Sequence, residues 1–257
     1  MSTILFPSGP YGPIHSRRLG ISLGVNLLPS SQKMCSFECI YCECGFTKIV
    51  SGATIPSKHE VLTQLEEKLK QMSSEHANLD VFTFAGNGEP TMHPDFAEII
   101  DETIKLRDKY YPSAKISVLS NATMLHKKNV VDALKRVDNN ILKLDSAFES
   151  TAKLIDGPKQ PNYSIARLKE QLKQFDGDFI MQTIFLRGSV DGKLVDNTTE
   201  EEVSAWLNIL EELKPKSVMI YPIDRETPVQ TLEKVAHDEL LAIADRVKKL
   251  GIYVSVA

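Results

Sequence analysis

Apolar segments of the strand type alternate with segments of helical spacing along the whole chain. The candidate strands cover 21–28, 80–85, 115–120, 141–146, 178–186, 217–222 and 252–256. Between them apolar residues recur three or four positions apart, which is the spacing of one helix face. This alternation predicts βαβ units and a parallel sheet. We therefore expect an α/β fold, a partial (β/α)6 TIM-like barrel with a short extra C-terminal strand. The alternative is an open doubly wound sheet.

Length and composition suit a single soluble domain. The 257 residues allow one α/β domain over 1–257 and leave little room for a second. The net charge of −4 gives no general attraction to nucleic acid, although a local basic patch at Arg17 and Arg18 is compatible with it. The first residues lack the pattern of a signal peptide, and no apolar stretch reaches the ~18 residues of a membrane span. We expect a cytoplasmic protein without a membrane partner.

All four cysteines lie within ten residues, at Cys35, Cys39, Cys42 and Cys44. A disulfide framework joins distant segments, so this clustering indicates a metal site instead. Three thiolates spaced x3 and x2 on one loop can bind three irons of a 4Fe–4S cluster and leave the fourth iron open to an outside ligand. A zinc site with Cys44 as fourth ligand is the alternative, but that spacing is unusual for zinc.

Polar segments follow the predicted strands at their carboxyl ends. They are the cysteine loop, GNGEP at 86–90, SNAT at 120–123, the polar residues of 143–146, Gln182 with Arg187, and YPIDR at 221–225. Loops at this edge build the active site in barrels, and open α/β sheets bind ligands there as well. The sequence therefore predicts a site at the carboxyl edge of the sheet.

Cys35-x3-Cys39-x2-Cys42, with Tyr41 before the last cysteine, resembles the signature of the radical S-adenosylmethionine (SAM) superfamily. The segments 12–29, 86–96, 119–123, 144–151 and 221–228 together resemble a group of small Fe–S oxidoreductases. That group is related to the wybutosine-synthesis tRNA enzymes and the molybdenum-cofactor biosynthesis proteins. The tRNA-modifying relatives carry a further cysteine motif, which this sequence lacks.

The resemblance implies a 4Fe–4S cluster on the three cysteines and SAM as the second cofactor. It implies reductive cleavage of SAM to methionine and a 5′-deoxyadenosyl radical, which abstracts hydrogen from an unidentified substrate. A low-potential electron donor of the flavodoxin or ferredoxin type would be needed. An activase of a partner protein and a non-catalytic metal-binding or electron-transfer protein are the alternatives.

The resemblance also assigns cofactor-binding positions. They are Tyr41, Gly86, Asn87, Gly88, Glu89, Ser120, Asn121, Lys143, Asp145 and Tyr221. Structural roles compete with these assignments: a strand-to-helix turn at 86–90, a helix N-cap at 120–121, an ion pair between Lys143 and Asp145, and a structural role for Tyr221.

No catalytic residue is assigned, and four candidates are open. They are Cys44, His93, Arg17 and Arg225. An arginine could bind an anionic group of the substrate, but a surface ion pair is the competing interpretation. His93 could approach the cluster or serve a structural role. Cys44 could tune the cluster, donate hydrogen or have no part in the reaction. The polar segment 186–197 is predicted to be a lid or substrate loop.

Overall fold

The structure is a computed structural model that describes residues 4–16 and 19–257. Its strands are β1 Gly9–Ser16, β2 Gly20–Asn26, β3 Val81–Phe84, β4 Lys115–Ser120, β5 Asn139–Lys143, β6 Ile180–Val190, β7 Lys193–Asp196, β8 Ser217–Pro222, β9 Leu232–Lys234 and β10 Tyr253–Val256. Its helices are α1 Lys58–Ser74, α2 Phe96–Tyr110, α3 Lys128–Leu134, α4 Glu149–Asp156, α5 Ile165–Leu172, α6 Glu200–Leu213 and α7 His237–Lys249.

The sheet follows the order of the chain. Its strands lie in the order β1-β2-β3-β4-β5-β6-β8-β10, and every neighbouring pair from β2 to β10 is parallel. In a doubly wound sheet the order of the strands reverses at a switch point. The sequential order seen here therefore excludes that fold. The predicted partial (β/α)6 barrel is confirmed, and β10 is the extra C-terminal strand.

The central strands are apolar because the sheet is covered on its outer face by the helices. All four residues of β3 are buried, as expected of a parallel strand that is covered on both faces. Helix α1 begins with a capping box between Ser57 and Glu60, which satisfies backbone donors of its first turn. It buries one face, formed by Val61, Leu65, Leu69 and Met72. No helix of the described residues is long and apolar enough to cross a membrane.

Strand β1 was not expected from the sequence. It lies antiparallel to β2 at the sheet edge, with Gly9 opposite Asn26. Its sequence GPYGPIHS contains two glycines and two prolines, which are depleted in strands. The ring of Tyr11 packs across β2 at Gly24, where a Cβ atom would lie 2.1 Å from the Tyr11 Cζ atom. Tyr11 therefore fills the space that the missing side chain leaves.

The prediction of a loop at 186–197 was wrong. Strand β6 continues to Val190 and pairs with the antiparallel β7, with Val190 opposite Lys193. The two turn residues, Asp191 and Gly192, have φ angles of 48° and 76°. Positive φ at both central positions is the geometry of a tight hairpin turn, and Asp-Gly favours it. Helix α4 was also missed.

Candidate active site

The three cysteines of the predicted cluster motif line one cavity at the carboxyl edge of the sheet. The cavity encloses about 220 Å³. Its other walls are Lys33, Phe37, Tyr41, Ala85, Gly86, Gly88, Glu89, Leu119, Ser120, Asn121, Lys143, Gln182 and Tyr221. Most of the positions assigned to cofactor binding therefore surround a single space; Asn87 and Asp145 do not line it.

Backbone contacts hold the cysteine loop against the end of β3. The Met34 N–H donates to the Asn87 carbonyl oxygen at 2.7 Å, and the Glu89 N–H donates to the Met34 carbonyl oxygen at 3.1 Å. Gly88 has a φ of 136°, and a Cβ atom on it would lie 1.8 Å from the Met34 carbonyl oxygen. Only glycine permits this approach, so GNGEP positions the loop that carries the cysteines.

The side chain of Asn87 has a structural role. It is fully buried, and its amide nitrogen donates to the carbonyl oxygens of Phe6 and Pro29, both at 2.8 Å. Its Oδ1 accepts from the Phe6 N–H at 2.8 Å. Both amide hydrogens are thus used to fasten the N-terminal segment. The structure places this side chain away from the cavity to which the sequence assigned it.

Glu89 joins the ends of β3 and β4. Its buried carboxylate accepts from the Ser120 hydroxyl at 2.8 Å and from the Asn121 N–H at 2.7 Å. It also accepts from the backbone and hydroxyl of Thr91. Burial raises the pKa of Glu89, and these hydrogen bonds oppose that rise. The carboxylate faces the cavity and is fixed in orientation.

Asn121 connects this network to the cysteine loop. Its Nδ2 donates to the Ser36 hydroxyl at 2.9 Å and lies 3.6 Å from the Cys35 sulfur. The Ser36 and Thr123 hydroxyls are 2.7 Å apart. The polar residues after β4 therefore bind the cysteine loop. An N-cap at this position is not formed, since α3 begins later, at Lys128.

Lys143, Tyr41 and Asp145 form a largely buried polar group, and the first two of them line the cavity. Lys143 Nζ donates to the Tyr41 hydroxyl at 2.5 Å, and that hydroxyl donates to Asp145 Oδ2 at 2.5 Å. Lys143 Nζ also lies 3.3 Å from the Tyr221 hydroxyl. Burial disfavours the charge of Lys143, but attraction by Asp145 and Tyr221 raises its pKa well above its usual value. Lys143 therefore forms the ion pair with Asp145 and also lines the cavity, so the structural and the cofactor-binding interpretations are compatible.

Asp156 and Lys33 are site residues that the sequence did not reveal. Asp156, the last residue of α4, accepts from the Cys39 thiol at 3.5 Å, and its Oδ1 lies 3.4 Å from the Tyr41 hydroxyl oxygen. Burial and the Asp145 carboxylate raise its pKa well above the usual range. Lys33 is 3% exposed and donates to the Gly45 carbonyl oxygen at 3.0 Å. For Asp156, the sequence signal would have been a predicted helix that ends at this residue.

Of the candidate catalytic residues that the structure describes, Cys44 and Arg225 line one cavity and His93 does not. The His93 ring bonds the Pro56 carbonyl oxygen at 2.8 Å and the Asp95 N–H at 3.0 Å, so it supports a local turn. Arg225 forms an ion pair with Glu43. Cys44 is buried beside the cluster motif, and its sulfur lies 3.3 Å from the Gly86 carbonyl oxygen. Arg17, and Arg18 beside it, lie outside the described residues.

A second cavity of about 280 Å³ adjoins the first. The two share Tyr41, Cys42, Ala85, Gly86 and Tyr221. The remaining walls of the second cavity are Phe6, Tyr11, Glu43, Cys44, Ile184, Pro222, Ile223, Asp224, Arg225 and Thr227. The Arg225–Glu43 ion pair therefore lines the second cavity, next to the cysteine motif.

The thiols fit a 4Fe–4S cluster better than a single metal ion. Among residues 4–16 and 19–257, no three Cys, His, Asp or Glu side chains form a group that could hold one ion. A cubane has no such requirement, because each cysteine binds a different iron. Burial lowers the pKa of Lys33, but Cys42, Cys35 and Cys39 together raise it above its usual value. One buried cation therefore lies near all three sulfurs.

The chain belongs to the Radical SAM superfamily, whose sequence profile matches residues 30–196. Members typically use a 4Fe–4S cluster and SAM. The superfamily resemblance found in the cysteine motif is thereby confirmed.

Curated relatives extend the match over most of the chain. A protein of Brachyspira hyodysenteriae named GTPase Obg is 29% identical to this chain. The match covers 90% of this chain but only 32% of the Brachyspira protein. A UPF0026 protein of Helicobacter pylori is 29% identical over 90% of this chain and 71% of its own length. The chain thus spans about a third of the first relative and most of the second.

Solved structures show the same fold. A radical SAM methyltransferase from Sphaerobacter thermophilus has a TM-score of 0.67 and 14% identity, over 92% of this chain and 65% of that one. Streptococcus suis SuiB bound to SAM has a TM-score of 0.64 and 13% identity, over 91% and 50%. TYW1 with a lysine-pyruvate adduct has a TM-score of 0.55 and 16% identity, over 90% and 74%.

Proposed function

We propose that the protein binds a 4Fe–4S cluster on Cys35, Cys39 and Cys42 and cleaves SAM reductively. The observation that carries this proposal is the shared cavity, which three motif cysteines and the strand-end residues line together. When bound, the reduced cluster supplies the electron that breaks the C–S bond of SAM and yields methionine and a 5′-deoxyadenosyl radical. The chain then has to orient the cofactor and exclude water.

Three groups of the cavity are suited to orienting SAM. Glu89 presents a fixed carboxylate, which complements the ammonium of the methionine moiety. Gly86 and Gly88 allow a ligand to approach the backbone closely. The aromatic ring of Tyr221, beside the Lys143 ammonium, offers a face for the adenine. Asn87 acts indirectly, because it holds the N-terminal segment in place. Asp145 acts indirectly through its contacts with Tyr41 and Lys143.

The second cavity is the proposed substrate site because it adjoins the first. It combines aromatic and aliphatic walls with the exposed pair Arg225 and Glu43. This lining fits a small amphipathic substrate with a charged group at the rim. We further propose that residues 1–257 act as one domain in the cytoplasm and receive electrons from a carrier of the flavodoxin or ferredoxin type.

The test is anaerobic reconstitution followed by single-turnover analysis. Loaded protein should contain about four iron and four sulfide per chain, and with dithionite it should form 5′-deoxyadenosine from SAM. The Cys39→Ala variant should lose the cluster. Loaded, reduced wild-type protein that binds SAM without cleaving it would contradict the proposal. Loaded protein that fails to bind SAM in calorimetry would instead support a non-catalytic electron-transfer role.

A further inference from the structure

Gln182 in β6 carries an amide that faces the interior of the barrel. It lies beside Lys143 of β5 and Met219 of β8, and it lines the cavity of the three cysteines, called here the cluster cavity. The next residue, Thr183, faces the helix layer, where its hydroxyl accepts from the Trp206 indole N–H at 3.1 Å. Gln182 is 5% exposed. Its amide is therefore enclosed by the barrel.

The side-chain amide of Gln182 has no hydrogen-bond partner within residues 4–16 and 19–257. The other polar side chains that line the cluster cavity, apart from the cysteines, all have one. They are Lys33, Tyr41, Glu89, Ser120, Asn121, Lys143 and Tyr221. Buried polar groups are nearly always paired in folded proteins, with protein, ligand or water. Gln182 is thus the polar group of this cavity that is free to bind a ligand.

The barrel interior on the other side of Gln182 offers its amide no partner. A third cavity, of about 110 Å³, begins there and has Gln182 as a wall in common with the cluster cavity. Its walls include the apolar side chains of Ile141 and Met219. The hydroxyls of Ser22 and Thr83 also line it, but they lie 2.7 Å apart and bond each other. The partner of the amide is therefore expected on the side of the cluster cavity.

The proposed SAM site extends from Glu89, which follows β3, to Tyr221 in β8. Glu89 would bind the ammonium of the methionine moiety and Tyr221 the adenine. Strands β4, β5 and β6 lie between them in the sheet, and the ribose lies between the two ends of SAM. Asn121 after β4 and Lys143 of β5 already hydrogen-bond within the protein. Gln182 of β6 is the remaining polar side chain in this interval.

The chemistry of a carboxamide matches that of a ribose. The amide is neutral and carries both donors and an acceptor, and two adjacent hydroxyls offer the same combination. A charged side chain would suit the ammonium or carboxylate of SAM better. We propose that Gln182 binds the ribose hydroxyls of SAM, with Nε2 donating to one and Oε1 accepting from the other. This inference rests on the proposed function.

The test measures SAM affinity by calorimetry on protein that is loaded with oxidised cluster. No reductant is added, so SAM is not consumed. Gln182→Met keeps a side chain of similar length and removes the amide. The matched control is Gln71→Met, at an exposed position of α1. The ligands are SAM and its 2′-deoxy and 3′-deoxy analogues, and iron content and the unfolding midpoint are measured for each protein.

We expect the wild type to bind at least one deoxy analogue about tenfold more weakly than SAM, because one ordinary hydrogen bond is lost. Gln182→Met should bind SAM about tenfold more weakly than the wild type does. It should also bind SAM and that analogue equally, because both changes remove the same contact and their effects should not add. Gln71→Met should bind all three ligands as the wild type does.

Equal affinities of Gln182→Met and the wild type for SAM would overturn the proposal and leave the amide to water. An analogue penalised equally in both proteins would overturn it as well, since the losses would then add. If Gln182→Met loses its cluster, Gln182→Asn takes its place, because it keeps the amide but withdraws it by one methylene. Equal binding of all three ligands by the wild type contradicts a ribose contact whatever the variants do.

Failure of the proposed function gives a different result. SAM that binds to the loaded protein but is not cleaved on reduction would contradict the proposed function, and the affinities would still test Gln182. Loaded wild-type protein that binds no SAM would overturn both.

Discussion

Lys143 and Asp145 lie two residues apart at the end of β5 and form an ion pair of 3.4 Å between Nζ and Oδ2. The Asp145 side chain is fully buried, and only 15% of the Lys143 side chain is exposed. The Tyr41 hydroxyl bridges them, and Asp145 Oδ1 accepts from the Ile184 N–H at 3.0 Å. The pair thus ties the cysteine loop to β5 and β6.

Replacing Asp145 with Asn should destabilise the protein, because the Lys143 ammonium would remain buried beside a neutral amide. We expect the free energy of unfolding to fall by about 3 kcal/mol. Urea denaturation of the cluster-free protein measures this. The control is Asp132→Asn, which removes an exposed i,i+4 pair with Lys128 and should change little. Equal effects of the two substitutions would show that the buried pair contributes no more than a surface pair.

Gly88→Ala tests whether the cysteine loop depends on the close approach of two backbones. The added Cβ atom would clash with the Met34 carbonyl oxygen, and alanine is strained at this positive φ. We expect a loss of about 3 kcal/mol or more in unfolding free energy, together with poor iron retention after reconstitution. The matched control is Gly52→Ala, where φ is 79° and nothing lies within 4 Å of the added atom. Gly52→Ala should cost about 1 kcal/mol and keep its iron; equal iron contents would contradict this account.

Cys44 separates the cluster interpretation from the zinc interpretation. In a cubane held by three cysteines, Cys44 is not a ligand, so Cys44→Ser and Cys44→Ala should both retain about four iron and four sulfide per chain. In a four-cysteine zinc site, either change would remove a ligand. Metal and sulfide analysis after anaerobic reconstitution decides between them. Zinc bound by the wild type and lost in both variants would overturn the cluster assignment.

The sequence predicted the parts of this fold that depend on local pattern. Six helices and seven parallel strands follow from hydrophobic spacing, and the cysteine spacing is local as well. Strand β1 was missed because its pairing with β2, not its Gly- and Pro-rich sequence, makes it a strand. The hairpin at 186–197 was missed although Asp191-Gly192 is a turn signal. Its strands carry polar residues because this hairpin is only partly buried.

In the candidate site, too, the features that depend on local pattern were predictable and those that depend on tertiary contacts were not. The polar strand ends were predicted to meet, since parallel strands end at one edge of the sheet. What each side chain contacts there could not be predicted. Asn87 lies within the cofactor motif but binds Phe6, 81 positions away. Asp156 contacts Cys39 across 117 positions, from a helix of only eight residues, whose apolar periodicity is too short to predict it. Such contacts depend on tertiary packing, which a single sequence does not display.

Lys33 provides the last prediction, because it is a buried cation close to the three thiols. Reduction adds a negative charge to a cluster, and a nearby cation stabilises that state, so net charge is one control of the potential. We expect Lys33→Met to shift the reduction potential to more negative values by tens of millivolts. Lys33→Arg keeps the charge and should shift it less. A redox titration monitored by electron paramagnetic resonance measures both, with iron content checked in parallel. A potential in Lys33→Met that equals the wild-type value, at equal iron content, would show that Lys33 serves only to hold the loop through Gly45.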